Sequence, residues 1–86
     1  MINLTVLTPE TICYQGEVVS VELPGMMGRF TVLKGHAPLL TALQRGEIIY
    51  KTADGTANSI ALLNGFVEIA DNRVMACIEM EGGIKQ

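Results

Sequence analysis

"FVEIADNRVMACIEM", residues 66–80, alternates apolar and polar side chains on either side of an Asp-Asn pair. Val67 and Ile69 share one face before the pair, and Val74, Ala76 and Ile78 share one face after it. That period of two marks half-buried strands, and Asp71 with Asn72 supplies the turn residues that join them. The same pattern continues outward. In "INLTV" Ile2, Leu4 and Val6 take one face while Asn3 and Thr5 take the other. "TICYQGEVVSVEL" points Val19, Val21 and Leu23 one way and Ser20 and Glu22 the other, with Gly16 read as a bulge or bend. Pro24 and Gly25 are expected to end that strand as a turn. A strand over residues 29–33 turns Phe30 and Val32 inward and Arg29 and Thr31 outward. Asp54 and Gly55 lie between two more strand-like runs and predict a hairpin.

No window shows helical periodicity, and strand-sized runs recur about every 8 to 12 residues with turn residues between them. The expectation is an all-β fold, a ten-stranded (roughly eight to ten) β-sandwich without a C-terminal helical domain. A chain of 86 residues is too short for two cores. Residues 1–81 read as the sandwich domain and residues 82–86, which open with a glycine pair and have no further apolar row, as a flexible tail.

Composition narrows the function classes. The net charge is −3 and no basic stripe exists, which argues against nucleic acid and against attraction to anionic lipid. No apolar run approaches the ~18 to 20 residues of a membrane span. The opening "MINLTVLTPE" lacks the charged and long apolar regions of a secretory signal, so a cytoplasmic location is expected, with Cys13 and Cys77 as reduced, buried small hydrophobes. The 49% hydrophobic content is high for so small a domain and hints that apolar surface is reserved for a partner.

Reactive groups do not converge. His36 is the sole histidine, so a multi-histidine metal site is excluded, and no metal or cofactor is expected. Ser20 and Ser59 lie in no nucleophile elbow, and both cysteines read as core. "GMMG" lacks the Lys-Thr ending and following helix of a phosphate loop, so no nucleotide is expected on this chain. His36 reads two ways, as a turn histidine bonded to a nearby carbonyl or as an interface residue. Met26 and Met27 also read two ways: one folds back over the end of the sandwich, or their flexible, polarisable side chains mould to a partner.

The run "GRFTVLKGHAPLLTALQRGEI", residues 28–48, with the opening "LTVLTPE", Gly16 and the late "NGFVEI", resembles the N-terminal domain of the epsilon subunit of F-type ATP synthase, called delta in mitochondria. The likeness covers nearly the whole chain, and residues 35–42 carry its most specific block. Gly35 permits a positive φ and Pro38 biases Ala37 toward extended geometry, so these turn-forming residues make a stiff corner that projects His36. The following "PLLTAL" can return as a strand with Leu40 and Ala42 on one face and Leu39, Thr41 and Leu43 on the other.

The resemblance implies a ten-stranded sandwich joining the gamma subunit to the ring of c subunits in the central stalk. It places the chain on the cytoplasmic face of a bacterial inner membrane, peripheral through the complex. It implies no active site here, since catalysis belongs to the beta subunits. It assigns Gly28 and Arg29, with Met26 and Met27 on the same loop, to the c-ring contact, and Thr8, His36 and Thr41 to the gamma contact. Family members often carry an acidic residue at the position of Arg29. Typical bacterial relatives continue into a helical hairpin that restrains ATP hydrolysis and senses ATP, so the chain as given is expected to couple rotation without that brake. Two other readings are a generic protein-binding sandwich and a lipoyl or biotinyl carrier. The carrier would need a modified lysine at a hairpin tip, and neither Lys34 nor Lys51 has that context.

Overall fold

The computed structural model describes residues 1–80, and the tail expected over residues 82–86 lies outside them. Nine strands follow one another: β1 (Ile2–Leu7), β2 (Ile12–Val18), β3 (Ser20–Gly25), β4 (Gly28–Val32), β5 (Leu39–Leu43), β6 (Gly46–Lys51), β7 (Ala57–Leu62), β8 (Asn64–Ala70) and β9 (Arg73–Glu79). No helix occurs among the described residues. The expected all-β class and strand count are both met.

The strands form one sheet curled into two layers, in the order β2-β1-β9-β8-β5-β3-β6-β7, with β4 added beside β3. One layer is β2-β1-β9-β8-β5. The other is β4-β3-β6-β7. They meet where Gly25 of β3 pairs with Leu43 of β5. The chain then bends through Gln44 and Arg45 and resumes beside β3 as β6, so one run of chain serves both layers. Gly46 makes that bend possible, because a Cβ there would lie 3.0 Å from the Pro24 Cβ. The β1–β9 pair is parallel and the others are antiparallel.

Between the layers, Ile2, Leu4, Val6, Val67, Ile69, Val74, Ala76 and Ile78 meet Val21, Leu23, Val32, Ile48, Tyr50 and Leu62. No buried polar or charged residue occurs among the described residues, so this core rests on apolar burial. Fully burying each Leu, Ile or Val is worth about 1.5 to 3 kcal/mol. The inward rows expected from residues 66–80 are all present. The Asp71 and Asn72 turn is also as expected, both residues holding positive φ (53° and 60°) in a two-residue hairpin loop. At the Asp54 hairpin Gly55 takes the positive φ, 89°.

Several local expectations shift. Val18, not Val19, joins the core, because the chain breaks step at Val19, where the backbone leaves β2 to enter β3. The bulge falls at Cys13, where the β1–β2 register slips between Val6 and Leu7, and Gly16 stays paired with Leu4. Gly16 instead leaves room for the Tyr14 ring, whose hydroxyl would lie 2.8 Å from a Cβ there. Tyr14 in turn stacks on Tyr50 across the layers, with ring centroids 4.3 Å apart. Pro24 and Gly25 belong to β3 and are buried, and the reversal falls on Met26 and Met27. Cys13 and Cys77 are half-buried rather than core, Cys77 because it lies on the outward side of β9 between the inward Ala76 and Ile78.

Candidate functional site

The corner after β4 is tied down at both ends. The Leu33 carbonyl accepts a hydrogen bond from the His36 backbone N–H at 3.1 Å. Gly35, at φ 87°, donates its N–H to Asn72 Oδ1 at 2.7 Å. Asn72 also accepts, through its carbonyl, the N–H of Asn3 at 2.9 Å. One turn residue of the β8–β9 hairpin therefore fixes both the start of β1 and this corner. His36 is half-buried, its Nδ1 2.7 Å from the Ala37 carbonyl and its ring 6.4 Å from that of Phe30. The turn-histidine geometry is present, while Ala37 and Pro38 stay exposed.

A hairpin tip stands at the β3–β4 reversal. Met27 is 97% exposed and Met26 56%, so neither folds back as a lid. Neither methionine has positive φ, and Gly28 takes it instead, at 127°. The tip is held at its base: Met26 N–H donates to the Ala42 carbonyl at 3.0 Å, Gln44 N–H donates to the Pro24 carbonyl at 2.9 Å, and the Gln44 side-chain amide donates to the Gly25 carbonyl at 3.1 Å. Arg29 is turned back along the sheet. Its Nε donates to Glu22 Oε2 at 2.9 Å and its Nη2 to the Glu47 carbonyl at 2.9 Å.

The outer face of the β2-β1-β9-β8-β5 layer carries an apolar stripe. Ile12, Leu7, Cys77, Phe66 and Ala42 pair in register across all five strands. Leu40 and Met75 flank Glu68 in the next row. Leu40 is 68% exposed and Phe66 53%. On β5 the outward residues are Leu40 and Ala42, whereas Thr41 shares the side of Leu43 and is half-buried. Thr8 lies beyond the strands at one end of this face, in the β1–β2 loop, lining a surface groove with Phe66 and Glu79. His36 lies at the other end, by the β8–β9 turn. The residues assigned by resemblance thus fall in three places: Met26, Met27, Gly28 and Arg29 at the tip, Thr8 and His36 at the margins of the apolar face, and Thr41 on the opposite, core-facing side of β5.

Leu40, Phe66, Met75 and Asn72 were missed as site residues. Phe66 and Met75 had a signal: large apolar side chains at positions where the alternation calls for polar ones. Asn72 had none beyond its turn preference, since its bond to Gly35 spans 37 residues.

Comparison with known proteins places this geometry. Residues 1–79 match the family described as ATP synthase, Delta/Epsilon chain, beta-sandwich domain. The ATP synthase epsilon chain of Chlorobium limicola is 38% identical over 77 residues, covering 90% of this chain and 88% of that one. That of Campylobacter jejuni is 39% identical over 84 residues, and this chain spans 64% of its length. Among solved structures, a chain of the Euglena gracilis mitochondrial ATP synthase OSCP/F1/c-ring assembly superposes with a TM-score of 0.84 at 22% identity, covering 90% of this chain and 49% of that chain. One from the central stalk and c-ring of the Tetrahymena thermophila mitochondrial ATP synthase gives 0.75 at 14% identity, over 99% of this chain and 72% of that chain. At such identities the superpositions show the shared fold. The family match along the whole sandwich, with close sequence relatives of nearly equal length, makes this chain a member of the ATP synthase delta/epsilon family, spanning its β-sandwich domain.

Proposed function

We propose that the chain is a non-catalytic subunit of the central stalk of an F-type ATP synthase, seated between gamma and the c-ring so that ion-driven rotation reaches the catalytic head without slipping. Family membership gives the machine, and one observation supports the role. The domain displays two separate apolar surfaces on a scaffold whose loops are hydrogen-bonded to the sheet. A coupler needs two such surfaces, because torque passes through it from one partner to another. Stable interfaces commonly bury more than about 1,000 Å², and their strength comes from packed apolar centres.

In this reading the tip bearing Met26, Met27 and Gly28, with Arg29 at its base, faces the polar loops of the ring. Gamma covers the outer face, with Leu40, Phe66 and Met75 at its centre and Thr8 and His36 about its edges, while Thr41, on the core-facing side of β5, takes no part in that face. Binding is through the complex, on the cytoplasmic side of the membrane, and the chain carries no nucleotide of its own.

Co-purification with gamma tests the assignment. A Leu40→Asp/Phe66→Asp variant should lose gamma by at least about 100-fold, since burying unpaired charge at an interface centre removes its main contribution. Thermal unfolding should be nearly unchanged, as both side chains are solvent-exposed in the isolated chain. Full retention of gamma by that variant and by a His36→Glu variant would refute the gamma face.

A further inference from the structure

Arg29 is the tip residue whose surroundings say most. On β4 it pairs with Pro24 of β3, and its guanidinium reaches diagonally to Glu22 on β3 and onward to the backbone of Glu47 on β6. Three strands are joined by one side chain. The place it reaches is the bend where the chain passes between layers, beside Gly46, whose position lies within van der Waals range of Arg29 Nη1. The guanidinium is a planar fork, so donating to a carboxylate and a carbonyl at once fixes its orientation in a way a lysine cannot copy.

We infer that Arg29 is a positioning residue, a clasp that holds the methionine tip against the interlayer bend, and that it serves docking through Met26 and Met27 rather than by presenting its charge to the partner. This rests on the reading of the tip as the ring-facing surface. The argument is geometric. Both donating nitrogens are already engaged within the chain, the cation is neutralised by Glu22 at 2.9 Å, and the acceptors lie back along the sheet, away from the tip. Gln44 holds the opposite side of the tip through the Pro24 and Gly25 carbonyls. With both sides pinned, the two methionines lose less freedom on docking, which is how preorganisation raises affinity. The pair is about 40% exposed on each side, 38% for Arg29 and 41% for Glu22, so its effect on global stability should be small. Its effect on the tip is local.

Arg29→Lys, Arg29→Glu, the swap Glu22→Arg/Arg29→Glu and the control Met27→Asp would be compared in the full-length chain. Amide hydrogen exchange over residues 26–30 of the isolated chain reads the clasp directly. Affinity for the detergent-solubilised c-ring, at low and at high salt, reads docking. A clasp predicts faster tip exchange in both single Arg29 variants and roughly three- to tenfold weaker ring binding at either salt concentration. The swap restores the ion pair but leaves the Glu47 carbonyl without its donor, so it should recover part of both relative to Arg29→Glu. Unchanged tip exchange in Arg29→Lys and Arg29→Glu overturns the clasp, and so does a loss of affinity confined to low salt that the swap does not recover, because that is the signature of a direct charge contact. If Met27→Asp binds the ring as the unmodified chain does, the ring-facing reading fails, while the exchange data still decide whether Arg29 orders the tip.

Discussion

Two hairpin tips of the same length are built from opposite chemistry. The β8–β9 tip is Asp71 and Asn72, both in the left-handed region, and Asn72 spends its side chain and its carbonyl on the rest of the chain. The β3–β4 tip is Met26 and Met27, with no positive φ of their own, and Gly28 takes the strained angle for them. Asp and Asn suit a turn through local hydrogen bonding and tolerance of positive φ. Methionine has no such preference. A tip whose residues suit its backbone serves the fold, and a tip whose residues do not suit it is free to serve a surface.

The sharpest way to break this contrast is to make the methionine tip polar. Met26→Asp/Met27→Asp should weaken c-ring binding by about 100-fold or more while leaving the unfolding midpoint in place, as expected for anchors that are exposed in the free chain. A large drop in midpoint with binding preserved would exchange the roles given to the two tips. Asn72→Ala is the converse. It removes the acceptor of the Gly35 N–H and puts alanine at φ 60°, so chemical denaturation should show a loss of about 1 to 3 kcal/mol. Asn72→Gly keeps the backbone and should cost less, which separates the hydrogen bond from the strain.

Gly28→Ala lies between the extremes. Open space surrounds a Cβ there, yet φ is 127°, so a penalty of about 1 kcal/mol in denaturation comes from backbone strain alone. Equal stability of Gly28→Ala and the unmodified chain would mean the tip relaxes at no cost. The smallest effect is expected at the third hairpin tip, residues 52–56. Asp54 accepts the Thr52 hydroxyl at 2.6 Å and the Thr56 N–H at 3.0 Å, and these bonds hold its carboxyl below the ordinary aspartate value. Because the folded pKa is depressed, its contribution is present above the unfolded value near ~3.9 and is lost as pH falls through the folded one. NMR titration of Asp54 against an Asp54→Asn reference should show that depression, and a normal titration would remove the contribution.

Much of the fold was legible because alternation is a local property. Val67, Ile69, Val74, Ala76 and Ile78 are inward in the sequence pattern and inward in the structure. The misreadings have separate causes. Val19 fits the period, but the chain breaks step there on entering β3. Gly16 looks like a bend but makes room for Tyr14. Cys77 looks like core but alternates outward. Gly16 turns on the Tyr14 ring packed over it and Val19 on a break in the strand, whereas Cys77 follows the alternation that already put Ala76 and Ile78 inward. For the site, the stiff corner at residues 35–38 and the methionine pair could be seen in advance, whereas the in-register stripe through Phe66 could not, since register is a relation between strands.

The sequence by itself determined that the chain is all-β, where its hairpins turn to within about two residues, and which side of most strands is buried. It did so because side-chain alternation and turn chemistry are fixed by neighbours along the chain. Only the tertiary structure decided that β5 and β6 are one bent run serving both layers, that Asn72 anchors the corner at Gly35, and that Arg29 turns back to Glu22 and the Glu47 carbonyl. Those contacts join residues far apart in sequence, and they form only once core burial has brought the strands together.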